Sequence, residues 1–100
     1  MAFAYITEYR RQPLDGVERL IPAGLEPSLT VQKLAIGAGS VQSAAFQANT
    51  TFVCINVDAP CSVAFGANPT ATAAMTRIPL DGTQFFGVIP GDKVAVITNT

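Results

Sequence analysis

The sequence predicts an all-β protein, a small antiparallel β-sandwich of jelly-roll or immunoglobulin-like type with an extended N-terminal arm. Three observations predict it. From residue 28 onward, short runs rich in Val, Ile, Thr and Phe are separated by clusters of Gly, Pro, Asn or Asp, at the roughly 8–12-residue spacing of turn-linked strands. Before that point Pro13, Gly16, Pro22, Gly24 and Pro27 oppose any continuous helix. Finally, 100 residues suit one domain, and area scaling buries about 64% of the unfolded chain's surface, enough for one modest core.

In chain order, residues 1–27 read as an arm or as a first strand with turns, and residues 2–9 can supply a strand. Asp15 with Glu18 fits a capping box, but Pro22 leaves room for barely one helical turn, and a short strand at Val17–Ile21 is an equal alternative. The sandwich domain, 28–100, contains strand-like runs at about 29–36, 41–46, 51–57, 61–65, 71–78, 83–89 and 92–98. Seven strands suit an immunoglobulin-like sandwich and eight a jelly roll, so both remain open.

Alternation places Val53, Ile55 and Val57 on one face of a strand, and Cys61, Val63 and Phe65 on one face of the next. Matching those faces predicts a hairpin pairing Val57 with Cys61 and Val53 with Phe65. Cys54 then faces away from Cys61, and both thiols are expected free. Ile89-Pro90-Gly91-Asp92 signals a type II turn and a second hairpin. The repeated Pro-Leu-Asp-Gly at Pro13–Gly16 and Pro79–Gly82 reads as turn chemistry rather than duplication.

Composition excludes several functions. A formal net charge of −1 lacks the basic excess that a phosphate backbone demands, so no nucleic-acid partner is expected. No apolar window is long enough for a membrane span and no basic leader opens the sequence, so the chain is expected to stay in the cytoplasm where it is made. It has no His, and its two Cys cannot complete a zinc site. Gly37-Ala38-Gly39-Ser40 lacks the Lys and the following helix of a phosphate loop and reads as a hairpin turn. Asp81 and Asp92 sit beside turn glycines, and Ser40, Ser43, Lys33 and Lys93 have no base partner. No catalytic residue, metal or cofactor is expected.

Charge concentrates in the first third of the chain, and Tyr9, Arg10, Arg11 and Arg19 are the candidate partner-binding residues, because Arg and Tyr anchor interfaces. The later strands hold little charge and much Ala, Thr, Ser and Asn. Small side chains permit close approach of other chains, and uncharged polar groups enter an interface at lower desolvation cost. A homo-oligomer follows as an expectation.

The stretches Val63–Thr72, Thr76–Pro79 and Phe86–Ile97 resemble small virion proteins of tailed bacteriophages, including head-decoration or cement proteins. That resemblance covers about half the chain and none of residues 1–27. It implies a β-sandwich, often trimeric, that is made in the host cytoplasm, binds the major capsid protein on the virion exterior and reinforces capsomer contacts without catalysis. Alternatives are a tail or head–tail junction subunit, and a carbohydrate- or ligand-binding sandwich using Thr, Asn and the Phe85–Phe86 region.

Overall fold

Each expected run becomes a strand where its alternation lets one face be buried. The computed structural model describes residues 2–11 and 26–99 of the chain, and these form eight strands: β1 Ala2–Tyr9, β2 Thr30–Ile36, β3 Val41–Gln42, β4 Phe52–Val57, β5 Cys61–Gly66, β6 Thr76–Ile78, β7 Thr83–Gly87 and β8 Lys93–Thr98. They make two antiparallel four-stranded sheets, ordered β2-β1-β4-β7 and β3-β8-β5-β6. The core lies between them. Ala4, Ile6, Val53, Ile55 and Val57 face in from the first sheet, and Cys61, Val63, Ile78, Val94 and Val96 from the second, all buried.

The pairing decides between the two sandwich types. β5 pairs with β6, β4 with β7 and β3 with β8, a nested set built around the β5–β6 hairpin. Continuing outward, β2 needs a partner after β8, and β1, from the other end of the chain, fills that place. This is jelly-roll wrapping with its closing strand at the N terminus.

Residues 2–9 therefore take the strand alternative. β1 is hydrogen-bonded on both sides, to β2 and to β4, and Asp58 fixes its start: Phe3 N donates to Asp58 Oδ1 at 2.6 Å and Asp58 N to Phe3 O at 3.2 Å. Most of the rest of the expected arm, including Pro13–Gly16, Arg19 and Val17–Ile21, lies outside the described residues.

Three expected hairpins are corrected. β4 and β5 do not pair, because Asp58-Ala59-Pro60 carries the chain from one sheet to the other. Their inward faces meet across the core rather than side by side. Likewise Ile89–Asp92 is a reverse turn, with Asp92 N donating to Ile89 O at 3.1 Å and Gly91 at φ 86°, as type II requires. It nevertheless joins β7 to β8 across the sandwich. Gly37–Ser40 is also a crossover, from β2 to β3, not a hairpin turn.

Three strands are shorter than expected by two residues or more, β7 by two and β3 and β6 by more. After Gln42 the chain leaves the ladder: Ser43 Oγ accepts from Val94 N at 3.0 Å, and Phe46 turns in to close one end of the core. Residues 71–74 pack outside the second sheet instead of extending β6. The thiol expectation holds for the facing reason. Cys54 is half-buried on the outer face of the first sheet, Cys61 is buried in the core, and both are free.

Pro79–Gly82 turns tightly, with Gly82 N donating to Pro79 O at 2.8 Å and Asp81 at φ 55°. A Cβ on Gly82 would stand 2.7 Å from that carbonyl oxygen. Gly82→Ala is expected to lower stability by about 1–3 kcal/mol, the range for a forced backbone shift, as measured by urea unfolding. Deleting residues 1–10 removes an internal strand, and the expected result is loss of the β-type circular dichroism spectrum.

Candidate interaction surface

The outer faces of the two sheets differ. On the second sheet the central outward positions, flanked by Gln42, Arg77, Lys93 and Ile97, are small: Ser62, Ala64 and Ala95. The 67–75 connection folds over them. Gln42 Nε2 donates to Asn68 Oδ1 at 2.8 Å and Pro69 O at 2.7 Å, Ala71 N to Ser40 Oγ at 2.9 Å, and Asn99 Nδ2 to Ser62 Oγ at 2.7 Å and Ala73 O at 3.1 Å. Ala95 and Ser62 are fully buried as a result. Part of the Ala-rich composition thus serves packing inside the chain, where the sequence suggested packing between chains.

On the first sheet the outer face stays open and aromatic. Its register sets Lys33 beside Tyr5, Thr7 beside Cys54 and Val31, Cys54 beside Phe85, and Tyr9 beside Phe52. Phe52 and Phe85 stack at 5.5 Å with planes 11° apart, and Tyr9 lies 6.4 Å from Phe52. Among outward positions of these strands only Lys33 is charged, and its ammonium sits 4.1 Å above the Phe3 ring and 5.7 Å from that of Tyr5. Such placement partly satisfies the cation without exposing a bare point charge. Val31 is 56% and Phe85 44% exposed.

Of the candidate partner-binding residues, Tyr9, Arg10 and Arg11 fall at one end of this face. Tyr9 ends β1, and its hydroxyl donates to Glu26 Oε2 at 3.3 Å. Burial, and then the Glu26 charge, raise its pKa above the usual tyrosine value. Arg10 is exposed, its carbonyl accepts from Thr51 Oγ1, and it lines a 260 Å³ cleft with Glu26, Pro27, Ser28 and Leu29. Arg11 follows, exposed; Arg19 lies outside the described residues. Tyr9 and Arg10 are thus together, with the tyrosine hydroxyl already engaged within the chain.

Sequence reasoning missed Glu8. It points inward after Ala4 and Ile6 and is 1% exposed. Its Oε2 accepts from Gln32 Nε2 at 2.8 Å, and its Oε1 from Gln47 N at 2.9 Å and Thr50 Oγ1 at 2.8 Å. The full complement of donors, drawn from β2 and the β3–β4 crossover, makes it a structural pin. Its inward parity within β1 was the available signal. Phe85 points out and Phe86 in, so the Phe85–Phe86 pair does not line one ligand groove. Among the described residues no group of three or more His, Cys, Asp or Glu is placed to hold a metal ion, and no helix is long and apolar enough to cross a membrane.

Comparison with protein-family models, with curated proteins and with solved structures gives no match for this chain.

Glu8→Ala strands the buried Thr50 hydroxyl and the part-buried Gln32 and Gln47 donors and opens a cavity, and is expected to cost on the order of 3 kcal/mol in urea unfolding, with Glu8→Gln intermediate. Burial raises both thiol pKa values. Since the thiolate is the nucleophile, alkylation at pH 7 should be slow and should accelerate as pH rises through and beyond the ordinary thiol range. Intact-mass kinetics should show one adduct first, at Cys54, with Cys61 labelled only on unfolding.

Proposed function

We propose that the protein is a virion structural protein of a bacteriophage, a capsid decoration subunit that binds the major capsid protein on the capsid exterior and stabilises capsomer contacts. The observation that carries this reading is the open aromatic face of the first sheet. It presents Tyr5, Val31 and Phe85 with a single charge, which suits adhesion to another protein surface. The opposite sheet is partly covered by the chain's own 67–75 connection, which leaves a cleft of about 570 Å³ beside Ala64, Pro69 and Met75 in place of an aromatic face. The resemblance of the C-terminal half to decoration proteins supplies the finer assignment.

Adhesion requires no reacting group. Many copies, each touching neighbouring capsid subunits, turn modest single contacts into a stable shell through high effective concentration. Arg10 and Arg11, at the end of the aromatic face, supply polar anchors to carboxylates on the partner. The protein would be made in the host cytoplasm and retained on the virion.

Quantitative mass spectrometry of purified particles tests the assignment, with a copy number on the scale of the capsid lattice as the expected result. A few copies per particle would support a tail or junction subunit, and absence from particles would sink the reading. Val31→Glu, at an exposed position, is expected to weaken binding to undecorated particles at least about tenfold with the fold intact, as an unpaired charge buried at an interface would. Arg10→Ala with Arg11→Ala should weaken binding and flatten its salt dependence.

A further inference from the structure

The first sheet ends in two very different edges. β2 carries Lys33 near its middle, whereas β7, Thr83-Gln84-Phe85-Phe86-Gly87, has neither charge nor proline. In the second sheet β3 has two residues and β6 holds Arg77. Charge, proline, brevity and cover are the usual guards of a sheet edge, and β7, the edge strand, lacks the first three.

Ladder parity shows what that edge offers. Asp58 N bonds Phe3 O, so in β4 the even-numbered residues bond β1 and the odd-numbered ones bond β7. Val57 N donating to Gly82 O at 3.1 Å agrees. Gln84 and Phe86 are therefore used by β4, and Thr83, Phe85 and Gly87 turn their N–H and C=O groups outward. No other described strand pairs along that side. The strand is also flanked by the two most exposed large apolar side chains among the described residues, Leu80 at 61% and Ile89 at 67%.

We propose that β7 is the self-association strand, pairing antiparallel with β7 of a second copy about a two-fold axis at Phe85. In that register Phe85 opposes its own copy and Thr83 opposes Gly87, all of them residues with outward backbone groups. Three such pairs exchange two bonds each, about six in all. The same register brings Leu80 of one copy to the end occupied by Ile89 of the other, covering the apolar side chains at both ends. The two first sheets become one eight-stranded sheet, and their aromatic outer faces become continuous across the dyad. The occupant is a second copy because the edge is complementary to itself in hydrogen bonding, in side-chain face and at its ends. This goes beyond the particle reading and does not depend on it.

Sedimentation equilibrium on the full chain tests the pairing. The expected result is twice the 10.4 kDa chain mass at tens of micromolar. Amide exchange should show Thr83, Phe85 and Gly87 protected in a concentration-dependent way. Gly87→Lys is benign in the subunit, since a Cβ there meets nothing within 4 Å, and should weaken the dimer about tenfold or more. Thr83→Lys with Gly87→Lys sets like charges opposite each other at both ends and should give a monomer. A monomeric native chain, a trimer, fast exchange at the three amides, or a dimer indifferent to Gly87→Lys would each overturn the proposal. A solution monomer that still decorates particles in many copies would overturn it while leaving the particle reading standing.

Discussion

The carboxyl group of Glu8 is the point at which three separate parts of the chain are fastened. It lies on the core face of β1, where Ala4 and Ile6 precede it, and draws in Gln32 from β2 and Gln47 and Thr50 from the β3–β4 crossover. A buried polar group of this kind is tolerated only when its bonding capacity is met. Meeting it fixes the crossover's path. Gln32 extends the same network, its amide accepting from Ala44 N at 2.9 Å and donating to Ala44 O at 3.2 Å. Phe46, two residues on, is then held where it closes the core end, bonded through its backbone to Asp92 and Gly91 of the β7–β8 connection. One acidic side chain thereby couples the closing strand, its sheet partner and the loops that cap the sandwich.

How much of this was legible follows from what alternation encodes. A two-residue period reports which side of a strand is buried, and it located all eight strands, counting the one at 2–9. It does not report the neighbour. Val53, Ile55 and Val57 face the core equally well whether Cys61, Val63 and Phe65 sit beside them or across from them, so the β4–β5 hairpin was a reasonable but incorrect inference. Turn chemistry has the same limit: the type II geometry at Gly91 is real, yet an identical turn serves a sheet crossing. For Cys54 and Cys61 facing alone was enough, which is why their free state was readable although their pairing was not. Glu8 escaped because its charge masks an inward parity that a Val there would have announced.

The Ala and Thr content was ambiguous for a related reason. Small outward side chains allow close approach, but composition does not say whether the approaching chain is the same one. Here the 67–75 connection fills that role over Ala64, Ala95 and Ser62, anchored by Gln42 and Asn99. On the first sheet the outward rings of Tyr9 and Phe85 bury Phe52, while Tyr5 and Phe85 themselves stay exposed. Residue size thus separates a side partly covered by the chain itself from one that keeps exposed rings, the distinction on which the proposed binding role rests.

The edges of the first sheet are as unequal as the two outer faces. A sheet with two open edges would pair head to tail, β2 on β7 of the next copy, and grow without limit. Lys33 stands in that path. Its ammonium rests over Phe3 and Tyr5, and a strand added at β2 would crowd or desolvate it. β7 has no such guard and is self-complementary about Phe85, so the proposed pairing there would consume the free edge of both copies and leave only guarded ones. In the proposed pairing, closure at two would follow from guarding one edge and leaving the other bare, and it would double the aromatic face without opening a route to a filament.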